Sequence, residues 1–277
     1  MTALSIVIVS FNARTDLVNC LLSIKKNPPA LAHEIVIVDN ASADGSADAA
    51  RRIPGVRVID MGRNAGFAAA NNAGIGESRG DLLLLLNSDT LVPPGALDAL
   101  IGRLAATPSA AVAGPRLVDE HGHPELSFGR MISPLNELRQ KRRTAEWIAR
   151  ETMREQFVDW VSGACLLVHR QDAERAGRLD ERFFLYTEDV DFCHAVRSAG
   201  RKVLFTPVAT VTHLRGRSRS SQPAASQRAY RQSHVAFYEK HHPLWAPLLK
   251  VYLRLRAEPV PGRTRDAASG ERKTGSG

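Results

Sequence analysis

Cysteine is scarce in this sequence, with three residues among 277, and the three lie far apart at Cys20, Cys165 and Cys193. An odd count at wide spacing excludes both a disulfide framework and the paired ligands of a common zinc site. We therefore predict free thiols and a reducing compartment.

Long apolar runs are also missing. No stretch approaches the roughly 18 to 20 apolar residues that cross a bilayer. The first residues run directly into a β-like segment and lack the basic start of a signal peptide. We expect a cytoplasmic protein, or one attached peripherally to the inner face of the plasma membrane. With 44% hydrophobic residues the chain can still bury a full core, which excludes fibrous and wholly disordered classes.

Most of the chain carries no excess of positive charge. Residues 1–212 carry 24 Lys and Arg against 25 Asp and Glu, whereas residues 213–277 carry 13 against 4. This asymmetry argues against a uniformly basic nucleic-acid-binding domain, and we predict no nucleic-acid partner. It favours a near-neutral body with a basic tail that meets anionic lipid or another acidic partner. A solvated tail without a partner is the alternative.

What is present is an alternation of short apolar runs with amphipathic segments. This pattern is typical of strands that are covered on both faces by crossover helices, and it predicts an α/β fold with a mostly parallel sheet. The predicted strands are 4–9, 34–38, 56–59, 82–86, 110–113, 158–168 and 202–211. The predicted helices are 15–26, 66–78, one opening at Pro93-Pro94, 135–155 and 188–198.

The composition of the C-terminal region, residues 215–277, indicates the domain organisation. Residues 215–227 are rich in Arg, Ser, Gln and Pro, which favours a mobile loop. Between Trp245 and Leu255 the apolar residues share one helix face and the basic residues lie opposite, as in interfacial helices. We predict a globular domain over 1–235, a basic amphipathic helix over 236–258 and a disordered tail over 259–277.

Polar residues follow four of the predicted strands, and ligands collect at the carboxyl ends of strands in an open parallel sheet. They are Ser10 and Asn12, then Asp39, then Asn64 and Gly66, and finally Asn87 and Asp89. Each group alone is explained by turn chemistry or helix capping. Together they indicate one cleft, in which Asp39 could accept the N3–H of uracil or thymine. Asp89 could supply a hard oxygen ligand to Mg²⁺ or Mn²⁺.

At this point the chain resembles the inverting nucleotide-sugar glycosyltransferases of family 2, with the GT-A fold, and within them the rhamnosyltransferase-like bacterial members. The resemblance covers about residues 3 to 240. Seven segments carry it in the family's order: 5–12, 38–45, 64–67 with 71–74, 87–89, 161–164, 183–192 and 213–218.

The resemblance implies roles on the donor side of the cleft. Asp39 would bind the base of the nucleotide, with Ser10, Asn12, Asn64, Gly66 and Asn87 in the same pocket. Asp89 stands at the last position of the family's DxD motif and, with His213, would bind Mg²⁺ or Mn²⁺. Asn87 departs from the Asp of many relatives. Arg215, Arg217 and Ser218 would form a loop that closes over the phosphates.

On the acceptor side, the resemblance makes Asp189 the general base. Glu188 and Asp191 would orient the acceptor or the base, and Trp160 and Gly163 would line the acceptor pocket. Helix capping explains two of the three acids at 188, 189 and 191, since acids are favoured at a helix start. For His213, the alternative to a metal ligand is a histidine that ends a strand and binds nothing.

These residues predict transfer of a sugar, rhamnose by resemblance, from a dTDP- or UDP-sugar to a hydroxyl of a glycan or polyprenyl-linked glycan, with inversion. A non-catalytic nucleotide-sugar-binding or scaffold protein is the second hypothesis. A nicotinamide dehydrogenase ranks far below both, because the first strand is followed by Ser10-Phe11-Asn12 and not by a Gly-x-Gly-x-x-Gly turn.

Overall fold

A computed structural model of the protein describes residues 2–140, 143–214 and 223–257. The strands are β1 Leu4–Ser10, β2 His33–Asp39, β3 Val56–Asp60, β4 Leu82–Asn87, β5 Thr90–Leu91, β6 Ala110–Val118, β7 Phe128–Gly129, β8 Gln156–Val158, β9 Trp160–Val161, β10 Cys165–His169 and β11 Lys202–His213. Nine of them form the central sheet, in the order β3-β2-β1-β4-β10-β6-β11-β5 with β8 paired to β11, and β7 and β9 form a separate pair.

Helices cover both faces of this sheet. They are α1 Arg14–Lys26, α2 Ser46–Arg51, α3 Phe67–Glu77, α4 Ala96–Ala105, α5 Pro134–Gln140, α6 Ala145–Glu151, α7 Arg170–Arg175, α8 Glu188–Ser198, α9 Pro223–His241 and α10 Ala246–Ala257. The predicted α/β class with a mostly parallel sheet is confirmed. β1 to β4 run parallel, while β10 enters antiparallel between β4 and β6.

The apolar runs are continuous because both faces of each strand are buried. In β1, Ile6 and Ile8 pack into the cluster beneath α1 and α4, whereas Val7 and Val9 pack into the opposite cluster with α3 and α8. β4 divides in the same way, with Leu84 on one side and Leu85 on the other. A strand exposed on one face would instead alternate apolar and polar residues.

The register of the parallel strands brings their polar ends together. Ser10 pairs with Asp39, Asp39 pairs with Asp60, and Val9 pairs with Asn87. The antiparallel β10 adds its N-terminal end to the same edge, where the Asn87 N–H donates to the Ala164 carbonyl over 3.0 Å. Five segments that are distant in sequence therefore meet at one edge of the sheet.

Two of the predicted elements are divided in the structure. The helix expected over 135–155 is two short helices, α5 and α6. The strand expected over 158–168 is β8, β9 and β10, because these three pair with different partners: β8 with β11, β9 with β7, and β10 with β4 and β6. A break at Asp159 and another at Ser162-Gly163 change the direction of the chain between them.

The C-terminal region also differs from the prediction. The boundary placed between residues 235 and 236 falls inside α9, and residues 223–227 of the expected loop belong to this helix. Phe237 and Tyr238 of α9 are buried against Phe183 and Val190 of the globular body. α9 thus packs as part of the body, and α10 is the part of the predicted 236–258 helix that forms a separate element. The tail predicted over 259–277 lies outside the described residues.

The predicted free thiols are confirmed, since Cys20, Cys165 and Cys193 are all buried and unbridged. Within the part of the chain that the structure describes, no helix has both the length and the hydrophobicity to span a bilayer.

Candidate active site

Asp39 ends β2 and is buried, with 4% of its surface exposed. Its Oδ2 accepts a hydrogen bond from the Ser42 backbone N–H over 2.9 Å. Its Oδ1 is buried and has no hydrogen-bond partner among the described residues. Because an unpaired buried acceptor costs free energy, this oxygen is suited to a ligand N–H.

Asparagine side chains hold the loops on either side of Asp39. Asn40 donates from Nδ2 to Asn64 Oδ1 over 2.9 Å and accepts the Ala65 N–H at its Oδ1 over 2.9 Å. Asn12, whose φ is 51°, accepts the Ala43 N–H over 2.8 Å. The predicted donor-pocket residues Asn12 and Asn64 therefore support the backbone around Asp39. Asn40 was not among the predicted site residues, although its place directly after Asp39 was a signal.

Two further predicted residues complete this side of the cleft. Ser10 ends β1 beside Asp39, and its buried hydroxyl has no partner in the described part of the chain. Gly66 precedes α3 with φ of 90°, and a Cβ there would lie 2.5 Å from the Phe184 carbonyl oxygen. The adjacent Phe67 N–H donates to that oxygen over 2.7 Å. Glycine is required here because the chain must approach the loop before α8 closely.

Asp89 and His213, the two predicted metal ligands, lie together. The pairing of β5 with β11 sets Thr90 opposite His213, and Asp89 Oδ1 lies 3.3 Å from His213 Nε2. On the other side of the ring, Nδ1 lies 3.1 Å from Glu125 Oε2. Burial alone would lower the pKa of His213, but the hydrogen bonds that its ring donates to the carboxylates of Asp89 and Glu125 raise it to about 9. Glu125 was not predicted, because nothing in its irregular segment marks it as a partner of a residue 88 positions later.

Asp89 and His213 fit a divalent ion whose coordination shell is completed by other ligands. The buried Oδ1 of Asn87 has no partner among the described residues, and its Nδ2 lies 3.5 Å from His213 Nε2. A carboxylate on the distal nitrogen is the usual support of a metal-binding histidine. In the described part of the chain, no group of three or more His, Cys, Asp and Glu side chains is arranged to hold a metal by itself. Diphosphate oxygens are the natural additional ligands of Mg²⁺ and Mn²⁺.

Asp189 lies in the first turn of α8 with its carboxylate held by backbone donors. Oδ2 accepts the Gly163 N–H over 2.8 Å, and Oδ1 accepts the Val190 N–H over 2.8 Å. Burial raises the pKa of Asp189 even though these hydrogen bonds lower it. A Cβ on Gly163 would lie 3.3 Å from the Asp189 Cβ, so the predicted Gly163 is the close neighbour of the predicted base.

Glu188, the residue before Asp189, is buried, and its Oε2 has no hydrogen-bond partner among the described residues. Burial, and then the charge of Asp189, raise the pKa of Glu188 well above its usual range. Two adjacent carboxyls with raised pKa values at one helix start, one buried and one half-buried, are unusual in a purely structural cap. Such perturbed groups are characteristic of functional sites.

A chain of contacts joins the two halves of the cleft. Asn87 is bonded to Ala164, and the adjacent Gly163 is bonded to Asp189. The Phe67 ring also lies 3.7 Å from the position a Gly163 Cβ would take. The nucleotide-side residues at the ends of β2 and β4 and the carboxylates of α8 therefore share one edge of the sheet.

The remaining predicted residues are Trp160, Asp191 and the three of the predicted phosphate loop. The Trp160 ring, which packs against Gly129, donates from Nε1 to the Arg130 carbonyl over 2.9 Å. Asp191 differs from its predicted acceptor role, because both of its oxygens are bonded to residues of α9 and only 2% of its surface is exposed. Arg215, Arg217 and Ser218 lie outside the described residues.

Solved structures share this architecture. A mannosyltransferase of Pyrobaculum calidifontis in complex with GDP-Man and Mn²⁺ superposes with a TM-score of 0.61 at 18% identity, covering 91% of this chain and 69% of that one. GalNAc-T7 with UDP, GalNAc and Mn²⁺ superposes with a TM-score of 0.59 at 18% identity, covering 77% of this chain and 44% of that one. At this identity the likeness concerns the fold, which is that of the GT-A glycosyltransferases.

Sequence comparison gives the family. The model of glycosyl transferase family 2 matches residues 5–158, and the chain belongs to this family. A Mycobacterium tuberculosis protein, N-acetylglucosaminyl-diphospho-decaprenol L-rhamnosyltransferase, is 34% identical over 238 residues, which cover 77% of this chain and 78% of that protein. A hexosyltransferase of low-salt glycan biosynthesis from Haloferax volcanii is 27% identical, with 70% and 61% covered. The chain is a glycosyltransferase, and the scaffold and dehydrogenase hypotheses are not supported.

Proposed function

We propose that the protein transfers a sugar, rhamnose, from a dTDP- or UDP-sugar to a hydroxyl of a glycan or lipid-linked glycan, with a divalent metal and with inversion at the anomeric carbon. The observation that carries this proposal is the placement of the Asp189 carboxylate, half-buried at the start of α8 and joined through Gly163 and Ala164 to the strand end that carries Asn87. Similarity to the mycobacterial rhamnosyltransferase supports the choice of rhamnose and of a lipid-linked acceptor.

The donor would be held by its base and its diphosphate. The unpartnered Oδ1 of Asp39 accepts the N3–H of uracil or thymine. A bound Mg²⁺ or Mn²⁺, held by Asp89 and His213, would offset the charge of the departing diphosphate. Asn87 adds no negative charge to the metal site. The protein ligands of the metal would therefore be one carboxylate, from Asp89, and one imidazole, from His213.

Transfer is a single displacement at the anomeric carbon. The acceptor oxygen forms its bond to that carbon while the bond to the diphosphate oxygen breaks, and the acceptor proton passes to Asp189. Two backbone N–H groups fix the carboxylate in place, while burial raises its pKa and strengthens it as a base. Because attack is from the face opposite the leaving group, the product has the inverted configuration.

An assay of donors with a lipid-linked acceptor tests this function. We expect the purified protein to transfer from dTDP-rhamnose or a UDP-sugar in the presence of Mn²⁺ or Mg²⁺ and to stop with EDTA, and NMR should show the inverted anomer. Asp189→Asn should lower turnover by about 10² to 10⁴ while donor affinity is kept. The matched control is Asp48→Asn, whose side chain is 74% exposed. A retained anomer, or near-normal turnover of Asp189→Asn, would contradict the mechanism.

We also propose that α10 brings the protein to an anionic membrane. Large apolar side chains along and just before α10 are exposed, among them Leu244 at 89%, Leu248 at 61% and Leu255 at 70%. α10 carries Lys250 and Arg254 and contains no acidic residue. Apolar side chains beside basic ones fit the interface of an anionic bilayer, where each basic residue contributes about 1 kcal/mol.

Liposome flotation tests this contact. The full chain should float with phosphatidylglycerol vesicles and weakly with phosphatidylcholine vesicles, and Leu248→Asp with Leu255→Asp should abolish flotation. Leu22→Asp in α1, at a leucine that is 53% exposed, is the control. Equal flotation of all three proteins would remove the proposal.

A further inference from the structure

A cavity of about 550 Å³ lies between α5 and α6, apart from the strand-end site. Its volume is within the range of small-ligand pockets. Three arginines and one tryptophan dominate its lining, which consists of Arg139, Arg143, Thr144, Glu146, Trp147 and Arg150. We call this set the arginine pocket.

The charges of the arginine pocket are poorly compensated by protein. Neither Arg139 nor Arg143 has a carboxylate partner among the described residues. Burial, followed by repulsion from Arg130, lowers the pKa of Arg143. The guanidinium carbon of Arg143 lies 4.4 Å from the centroid of the Trp147 ring, a cation–π contact that orients it.

The two acids near the pocket, Glu146 and Glu151, already have protein partners. A hydrogen bond from Thr144 lowers the pKa of Glu146, the one acid in the lining. Glu151 Oε1 lies 3.5 Å from Arg150 Nε and 3.9 Å from Arg154 Nη1. Because Glu151 already compensates Arg150, Arg139 and Arg143 are the guanidinium groups of the arginine pocket that are left to bind an anion. Guanidinium forks bind phosphate oxygens in bidentate pairs.

The arginine pocket belongs to the acceptor side of the molecule. The segment that leads into α5 bonds to Trp160 through the Arg130 carbonyl, and its Met131 and Ile132 pack in the cluster that contains Val190, the neighbour of Asp189. α5 itself is tied to α9, since Glu137 accepts a hydrogen bond from the Tyr238 hydroxyl over 2.9 Å.

Exposed apolar residues lie beside the arginines. Leu135 and Leu138 of α5 are 67% and 61% exposed. α10 approaches the same region, since its Ala246 and Leu249 pack in the cluster that also holds Met131 and Ile132. Phosphate-binding groups next to exposed apolar side chains suit an anion that is attached to a hydrocarbon chain.

We propose that the arginine pocket binds the diphosphate of a polyprenyl-diphosphate-linked sugar acceptor. This inference rests on the proposed function, because it assigns the site that holds the lipid end of the acceptor while Asp189 acts on the sugar. A phosphate in the headgroup of an anionic membrane lipid shares the same chemistry. The geometry favours the acceptor, since the pocket is a concave groove that borders the acceptor side and adjoins the exposed leucines of α5, whereas bulk headgroups need only a charged surface.

Calorimetric titration with farnesyl diphosphate tests the pocket directly. The titration is run with saturating dTDP and Mn²⁺ so that the nucleotide site is filled, and farnesol is the uncharged comparison. Arg139→Gln with Arg143→Gln should weaken farnesyl diphosphate binding at least about 10-fold, because charge-assisted hydrogen bonds are lost. Arg52→Gln with Arg175→Gln removes the same charge elsewhere and should leave binding unchanged. Equal affinity of the two double variants overturns the assignment.

Activity and flotation separate the two sources of phosphate. With a lipid-linked acceptor, Arg139→Gln with Arg143→Gln should raise the acceptor KM at least about 10-fold while kcat and the donor KM stay near wild type. Flotation on phosphatidylglycerol vesicles without acceptor should be unchanged. Lost flotation with an unchanged acceptor KM would instead assign the arginines to bulk headgroups and overturn the proposal.

The two proposals fail in distinguishable ways. If the wild-type protein transfers no sugar from any nucleotide-sugar, the proposed function is contradicted, and the farnesyl diphosphate titration still reports on the arginine pocket. If the wild-type protein transfers sugar but the arginine variant matches it in farnesyl diphosphate affinity and acceptor KM, the proposed function stands and the arginine pocket is excluded.

Discussion

The imidazole Nε2 of His241, near the end of α9, lies 2.6 Å from the carboxylate Oδ1 of Asp191 in the first turn of α8. The other carboxylate oxygen lies 2.8 Å from Lys240 Nζ. Asp191 has 3% of its side chain exposed, so this cluster is shielded from solvent. The helix that carries Asp189 is therefore fastened to the C-terminal part of the chain.

Asp191→Asn should destabilise the protein by about 1 to 3 kcal/mol, because a buried acceptor of two charge-assisted hydrogen bonds becomes neutral. Urea denaturation followed by circular dichroism measures the change. Asp180→Asn is the control, since Asp180 also bonds to Lys240 but is 23% exposed in its side chain. A loss at Asp191 no larger than the loss at Asp180 would show that the cluster does not hold α8 and α9 together.

Glu188→Gln should stabilise the protein near neutral pH. Burial and the charge of Asp189 raise the pKa of Glu188 in the folded state, so the folded protein binds this proton more tightly than the unfolded chain does. Wild-type stability consequently falls as pH rises from the ordinary glutamate pKa of about 4.3 through the folded-state value. The variant escapes that loss, and each kcal/mol gained raises Tm by roughly 2 to 4 °C.

Thermal melts of both proteins from pH 4 to pH 8 check this pH dependence. The two Tm values should converge at the acid end and separate as the pH rises. Glu77→Gln, at a side chain that is 66% exposed, should follow the wild type at every pH. A constant difference between Glu188→Gln and wild type would show that ionisation of Glu188 is not its source.

Asp39→Ala should weaken binding of UDP and dTDP by about 10- to 100-fold, because the buried acceptor for the N3–H is lost. CDP lacks that N3–H, so we expect wild type to bind CDP less tightly than UDP and the variant to bind the two alike. Calorimetric titration of both proteins with UDP, dTDP and CDP measures these affinities, and Asp48→Ala is the control. A preference for UDP that survives in Asp39→Ala would place the base elsewhere.

Strand positions and the acids at their ends could be predicted because local rules govern both. Apolar runs such as 82–86 signal strands buried on two faces, and parallel pairing then aligns Asp39 with the neighbouring strand ends. α9 was missed because its start has the Arg, Ser and Gln composition of a loop, and its buried Phe237 is recognisable only against Phe183. The Asp191 contact was unpredictable for the same reason, since its partner lies 50 residues later.

Glu125→Ala should raise the Mn²⁺ concentration that half-activates transfer by about 10- to 100-fold, the usual cost of removing the carboxylate behind a metal-binding histidine. Glu125 Oε2 lies 3.1 Å from His213 Nδ1, whereas Nε2 is directed to Asp89, so the carboxylate orients the ring without itself occupying the ligand side. Glu125→Gln should show a smaller increase, because the amide oxygen still accepts the Nδ1–H but carries no charge. Glu120→Ala, an exposed acid in the same segment, is the control. Equal half-activating Mn²⁺ concentrations in Glu125→Ala and Glu120→Ala would contradict this prediction. They would show that Glu125 does not support His213 as a metal ligand.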